Sequence, residues 1–144
     1  MTPQDTTTAY LRSKVMTASP EELRLMLLDG ALRFAHQAAA GMESSNYELS
    51  YAGFTQCRAI ILELNCSIDE EKAPEIADRV KALYNFLYTE LIGASHEKDA
   101  QRLAKVIELL EYERETWALL MERLETERSG QQPAPERQAI SFQA

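Results

Sequence analysis

Histidine and cysteine are the side chains of this sequence that could bind a metal or act in catalysis, and their spacing matches no such site. The sequence has two of each, namely His36, His96, Cys57 and Cys66. A di-iron site in a helical protein needs Glu-x-x-His on two helices, but an arginine and a glycine stand three residues before these histidines. Four scattered residues do not make a zinc site, and no His-Glu-x-x-His, Walker or Gly-x-Ser-x-Gly motif is present. The sequence therefore predicts no enzyme activity, no metal and no cofactor.

Charge and hydropathy narrow the possible partners. Fifteen basic and twenty-three acidic residues give a net charge of −8, which argues against nucleic acid as a partner because phosphate binding needs a basic face. No stretch approaches the ~18 apolar residues of a membrane span, and the N-terminus lacks the apolar core of a signal peptide. We expect a cytoplasmic protein that does not insert into membranes and whose cysteines are free thiols.

The residues that could act in a site must be positioned by helices, because the apolar pattern is helical throughout. The clearest start signal lies at Ser19, which can form a capping box with Glu22 while Pro20 takes the first helical position. The four predicted helices span about residues 20–40, 47–64, 74–92 and 99–128. Gly41 and Gly93 are the predicted stops of the first and the third helix.

Short connections between long helices favour antiparallel neighbours. We therefore predict an all-α fold, an up-down four-helix bundle formed by residues 19–128. Residues 1–18 are too short a segment to be stable alone and are predicted to form a mobile N-terminal arm or a short helix. Residues 129–144 lose the helical period and contain two prolines, which predicts a disordered tail.

The helix that begins at Pro20 carries two apolar stripes. One stripe is Leu23, Met26, Leu27, Gly30, Ala31, Phe34 and Ala38. The other is Leu25, Leu28, Leu32, Ala35 and Ala39. An ordinary amphipathic helix buries a single stripe, so two interpretations stay open. Either this helix is central and contacts several neighbours, or its second stripe receives another protein.

The same helix carries a family resemblance. The stretch TASPEELRLMLLDGALRFAHQA, which follows Tyr10 at a short spacing, closely resembles the flagellin export chaperone family, FliS. The segment LYNFLYTELIGAS at 83–95 resembles that family's third-helix segment, and Asp69 resembles its acidic loop. Residues 115–117, Glu-Thr-Trp, resemble its final-helix tryptophan region. The resemblance extends in order over about residues 10–124.

This resemblance implies an antiparallel four-helix bundle that binds the disordered C-terminal segment of newly made flagellin. It implies that the bound flagellin is kept from polymerising in the cytoplasm and is delivered to the flagellar type III export gate. The family's N-terminal arm, with its tyrosine, is implicated in covering the binding groove and in docking to the export gate. By match, Tyr10 would be that tyrosine, and an arm carrying Tyr10 and Leu11 would cover the groove until the client arrives.

An amphipathic client laid in a groove needs exposed apolar residues at one-turn spacing. We expect the groove to be lined by Leu25, Leu28 and Leu32, with a facing wall of Leu49, Gly53 and Ile60 on the next helix. Three alternatives stay open. They are a helical-bundle adaptor or regulator that binds another amphipathic partner, a metal- or redox-active bundle, and a constitutive homodimer that hides the second stripe against a twin. For the chaperone itself, a homodimer of the client-free chain is a further expectation.

Overall fold

The computed structural model describes residues 3–71 and 74–130, and this part of the chain is helical and contains no strand. The five helices are α1 (Pro3–Thr17), α2 (Pro20–Glu43), α3 (Tyr47–Cys66), α4 (Pro74–Glu97) and α5 (Ala100–Arg128). The segment predicted to be an arm or a short helix thus contains α1. Of the predicted tail, only Ser129 and Gly130 belong to the described residues, and the prediction of disorder at 131–144 lies outside them.

Side-chain caps begin α2, α3 and α5, and the capping box that the sequence predicts at Ser19 is one of them. The hydroxyl of Ser19 accepts a 3.1 Å hydrogen bond from the backbone N–H of Glu22, whose carboxylate accepts a 2.8 Å bond from the backbone N–H of Ser19. Asn46 caps α3 by accepting from the backbone N–H of Leu49. Asp99 caps α5 by accepting from the backbone N–H groups of its second and third residues. These caps satisfy N–H groups that have no partner within the helix.

The predicted helix stops at Gly41 and Gly93 are wrong, because both glycines lie inside helices. Packing explains Gly41, because a Cβ there would lie 2.7 Å from the Cα of Ser50, whereas a Cβ at Gly93 would meet the guanidinium of Arg102, which would have to shift. The left-handed backbone that often follows a helix belongs instead to Ser45, with φ 57°, and to Lys98, with φ 53°.

One hydrophobic core joins α2 to α5. Its largest fully buried side chains are Leu28, Phe54, Cys57, Ile61, Leu64, Tyr84, Leu87, Leu91, Leu103, Val106 and Leu110. Every one of the four helices contributes to this list. α2 packs against α3 and α5, and α4 completes the ring by packing against the same two helices.

Contacts between neighbouring helices run in opposite order along their sequences. From the start of α2 to its end, its contacts with α5 are Glu21–Trp117, Asp29–Arg114 and His36–Glu111. Its contacts with α3 and the α3 cap are Arg24–Ser67, Gly30–Ile60 and Gly41–Ser50. α3 and α5 therefore both run antiparallel to α2, and the ends of α2 and α4 lie near the starts of α3 and α5.

Candidate protein-binding site

Two of the six residues predicted to line a groove are buried. Leu28 has no exposed surface and lies on the core face of α2 together with Ala31 and Ala35. This buried face therefore takes residues from both of the predicted apolar stripes. The prediction that Leu28 lies on an exposed stripe is therefore wrong. Gly53 faces α2 so closely that a Cβ would lie 2.6 Å from the backbone nitrogen of Ala38. Gly53 therefore serves the contact between α2 and α3 and does not form part of a surface.

The other four predicted groove residues are accessible but lie on two sides of α2. Leu25 and Leu32 are partly exposed and flank Asp29, which forms a 2.8 Å ion pair with α5. Ile60 packs against the mid-helix glycine of α2 on the side that faces α3. The backbone carbonyl of Leu49, on that same side, accepts a hydrogen bond from a glutamine of α2. The six predicted residues therefore do not form one continuous groove.

α1 presents apolar side chains to solvent. The exposed residues are Tyr10, Leu11, Val15 and Met16, and the side chain of Tyr10 is 64% exposed. All described side chains of α1 from Asp5 to Thr17 are exposed. The two predicted arm residues, Tyr10 and Leu11, are thus accessible to a partner.

A cavity of about 780 Å³ opens where α2 and α4 end and α3 and α5 begin. We call it the end pocket, and its lining includes Ala39, Met42, Tyr47, Tyr51, Phe54 and Lys98. Its volume falls within the roughly 300–1,000 Å³ of ligand-binding pockets. Most of these side chains are apolar or aromatic, and methionine adapts readily to differently shaped partners. The end pocket therefore has the composition of a site that receives apolar side chains.

Lys98 is the cationic side chain of the end pocket. It follows α4 directly, and its φ of 53° is uncommon for a residue that is not glycine. Its ammonium nitrogen lies 4.4 Å from the centroid of the Tyr47 ring. Among the described residues no carboxylate forms an ion pair with Lys98, although Glu43 also lines the end pocket.

A polar network at the opposite end joins three helices. The hydroxyl of Tyr84 donates a 3.0 Å hydrogen bond to the carboxylate of Glu113 and accepts a 3.1 Å bond from the guanidinium of Arg24. Burial raises the pKa of Tyr84, the positive charge of Arg24 opposes the shift, and the carboxylate of Glu113 adds to it. The phenol therefore stays neutral, and its role is to hold α2, α4 and α5 together.

The thiols and carboxylates of the described chain offer no metal site. Within residues 3–71 and 74–130, no three His, Cys, Asp or Glu side chains are grouped so that they could hold a metal ion. Both cysteines are free thiols. Cys66 is exposed, and burial raises the pKa of Cys57 to about 12. No helix of the same residues is both long and apolar enough to cross a membrane.

Comparison with known proteins shows which family these features belong to. The sequence matches the family described as Flagellar protein FliS over residues 3–124. The chain belongs to the FliS family. It is 33% identical over 129 residues to the flagellar secretion chaperone FliS of Bacillus subtilis (strain 168), covering 88% of this chain and 96% of that protein. The resemblance predicted from the sequence is thereby confirmed.

Other FliS proteins match over much of the chain. The flagellar secretion chaperone FliS of Vibrio cholerae is 29% identical over 105 residues, which cover 73% of this chain and 77% of that protein. The flagellar secretion chaperone FliS of Salmonella typhimurium is 32% identical over 108 residues, which cover 74% of this chain and 80% of that protein. The FliS match at 3–124 includes α1 to α4 and most of α5, so the arm and the whole end pocket lie within it.

The end pocket is the feature of this FliS-family chain that sequence reasoning missed. A signal was present, because Tyr47 and Tyr51 stand one turn apart at the start of α3 and so share a face. Both tyrosines are exposed, with Tyr51 at 65%. Their companions Met42 and Lys98 come from other parts of the sequence, and only the antiparallel packing places them beside the tyrosines.

Proposed function

We propose that this protein is a cytoplasmic chaperone that binds the C-terminal segment of flagellin, keeps it from polymerising and delivers it to the flagellar type III export apparatus. The FliS family match, which spans almost all of the described helices, carries the proposal. The curated relatives are named flagellar secretion chaperones. On this proposal the protein acts by binding and does not catalyse a reaction.

The proposed architecture is an antiparallel up-down four-helix bundle, with residues 19–128 as the chaperone domain. The opposite order of contacts along α2, α3 and α5 supports it. Residues 1–18 form the arm and residues 129–144 the tail. The exposure of Tyr10 and Leu11 supports a role for the arm in capping the client-binding surface or in docking to the export gate.

The proposed client-contact residues are Leu25, Leu32, Leu49 and Ile60. Because they lie on two sides of α2, one straight client helix does not reach them all. A client that wraps around the bundle does, and a disordered segment suits this because it gains affinity from a wide surface after losing conformational entropy. The client is therefore expected to contact the chaperone in more than one piece.

The test is to mix the purified chain with the C-terminal segment of flagellin encoded in the same genome. Binding heat in titration calorimetry and a gain of helical circular dichroism are the expected results. The double variant Leu25→Ala/Leu32→Ala should bind more weakly, whereas Tyr112→Ala, which removes an exposed aromatic residue of α5, should bind normally. Absence of both heat and helicity change contradicts the proposal, and recovery of a non-flagellar partner in a pull-down supports an adaptor instead.

The exposed apolar side chains of α1 support one further part of the proposal, namely that the client-free chain pairs with a second copy. Exposed apolar patches favour association, and Tyr10, Leu11, Val15 and Met16 are all exposed. Sedimentation velocity should then show a concentration-dependent dimer that flagellin dissociates. A monomer at all concentrations contradicts this part alone.

A further inference from the structure

We propose that the end pocket anchors the client through one apolar side chain that enters the pocket and one carboxylate that pairs with Lys98. This inference rests on the proposed function, because it identifies what the flagellin segment presents to the chaperone. The end pocket lies apart from the residues predicted to form the groove, since none of those six lines it. It therefore adds a contact that the groove prediction lacks.

The apolar half of the anchor follows from the lining of the end pocket. Met42 comes from α2 and Tyr51 and Phe54 come from α3, so two helices supply the apolar wall. Phe54 is almost fully buried and fixed by the core, whereas Tyr51 is 65% exposed and stands at the rim. A rigid floor with an aromatic rim suits a protruding side chain, because buried apolar anchors dominate binding between proteins.

The carboxylate half of the anchor follows from Lys98. Its ammonium lies on the face of the Tyr47 ring and forms no ion pair with a carboxylate of the described residues, so its charge is available to a partner. The protein carries a net charge of −8 and Glu43 also lines the end pocket, so within this pocket Lys98 is the group that attracts an acidic residue of the client. Lys98 therefore selects both the place and the register at which an acidic client residue binds.

The backbone of Lys98 makes this residue a suitable position for a test. A left-handed residue directly after a helix is normally glycine, because any side chain there is strained. Retaining a lysine at this position costs stability that glycine would recover. Ser45 has the same backbone outside the end pocket, so the strain is not itself a sign of binding, but it means that Lys98→Gly can remove the cation without destabilising the fold.

These features define the variants for the test. Lys98→Gly removes the cation and relieves the strained backbone, so the variant should be at least as stable as the wild type. Ser45→Gly is its matched control, because Ser45 has the same left-handed backbone but does not line the end pocket. Tyr51→Ala removes the rim, and its control is Leu62→Ala, which removes an exposed apolar side chain of the same helix outside the end pocket.

The experiment is calorimetric titration of each variant with the C-terminal segment of flagellin at low and high salt. Tyr51→Ala should weaken binding about tenfold, because it removes the rim that shields the seated client side chain from water. Lys98→Gly should weaken it about three- to tenfold at low salt and less at high salt, because salt screens the charge pair. Ser45→Gly and Leu62→Ala should bind as the wild type does.

A charge-reversal experiment identifies the client residue. Lys98→Glu is combined with flagellin segments in which each Asp or Glu is changed to Lys in turn, and one of these changes should restore binding. No restoration by any of them overturns the carboxylate half of the anchor, and unchanged binding by Tyr51→Ala overturns the apolar half. Absence of binding by the wild-type chain contradicts the proposed function itself, so the two failures are distinguishable.

Discussion

The indole N–H of Trp117 donates a 2.9 Å hydrogen bond to the backbone carbonyl oxygen of Glu21, which ties the middle of α5 to the first turn of α2. The same indole lies under the guanidinium of Arg24, whose central carbon is 5.3 Å from the ring centroid. Arg24 also lies 5.6 Å from the centroid of the Tyr84 ring of α4. The start of α2, where α1 joins it, is thereby held against two other helices.

Replacing Trp117 with phenylalanine should destabilise the protein by about 1–2 kcal/mol, since the hydrogen bond is lost and the contact with the cation is weakened. Urea unfolding followed by circular dichroism measures the free energy of unfolding. The control Tyr112→Phe alters an exposed ring of the same helix and should stay within about 0.5 kcal/mol of the wild type. Equal stability of the Trp117 variant would show that the bond to Glu21 contributes nothing.

Leu28 should behave as a core residue. Leu28→Ala is expected to cost about 2–5 kcal/mol, because it leaves a cavity at a site without any exposed surface. Leu28→Asp should unfold the chain. Leu25→Ala, at a partly exposed position one turn earlier, should cost much less. Thermal unfolding of the three variants checks this order. A stable Leu28→Asp variant that only loses client binding would contradict the burial of Leu28 in the core.

The glycines of the contact between α2 and α3 should respond in opposite ways to alanine. At Gly53 the new Cβ would lie 2.7 Å from the backbone oxygen of Phe34, so Gly53→Ala should cost about 1–3 kcal/mol through overpacking. At Gly30 the nearest atom is the terminal methyl of Ile60 at 3.2 Å, which can move. Gly30→Ala should therefore be neutral or stabilising by up to about 1 kcal/mol, as helix propensity predicts. Denaturant titration of both variants tests the contrast, and equal losses would refute it.

Removal of residues 1–17 should leave the free energy of unfolding within about 0.5 kcal/mol of the full chain, because the described side chains of α1 from Asp5 onward are exposed. Chemical denaturation of the two forms at the same concentration is the measurement. A large loss of stability would mean that α1 packs on the other helices in solution.

Stability should decline at alkaline pH. Burial raises the pKa of Cys57 from 9.0 to about 12, and burial also raises that of Tyr84. Both groups keep their protons longer in the folded state than in the unfolded state, so their contribution is fully present below about pH 9 and is lost as pH rises toward 12. The free energy of unfolding, measured from about pH 7 to about pH 10, should fall above about pH 9. The free energy of unfolding of Cys57→Ala should fall less steeply with pH, and that of the control Cys66→Ala should fall as the wild type's does. A wild-type free energy that stays constant above pH 9 would contradict the raised pKa of Cys57.

Helix positions were predictable because their signals are local. The capping box at Ser19 and Glu22 and the cap at Asp99 involve residues at most three apart, so their pattern is visible in the sequence. Gly41 and Gly93 misled the prediction of helix ends for the opposite reason. A glycine that ends a helix and a glycine that admits a neighbour look identical until the neighbouring element is in place.

The binding surface was less predictable because it depends on how helices are rotated about their own axes. A helix with two apolar stripes does not reveal which stripe is buried, and α2 in fact buries Leu28, Ala31 and Ala35 between them. The end pocket depends on residues of separate elements, including Met42 and Lys98, whose proximity follows only from packing. Neither question can be decided from periodicity alone.

The ion pair between Arg128 and Glu21 places the last residue of α5 beside the first turn of α2, far along the molecule from the end pocket. A tether attached after Arg128 therefore leaves the end pocket facing away from the support. A biosensor surface coupled to a chain shortened to end at Gly130 would present Tyr51 and Lys98 to a flowing analyte, and a bulky fluorescent fusion at that position should leave them unobstructed.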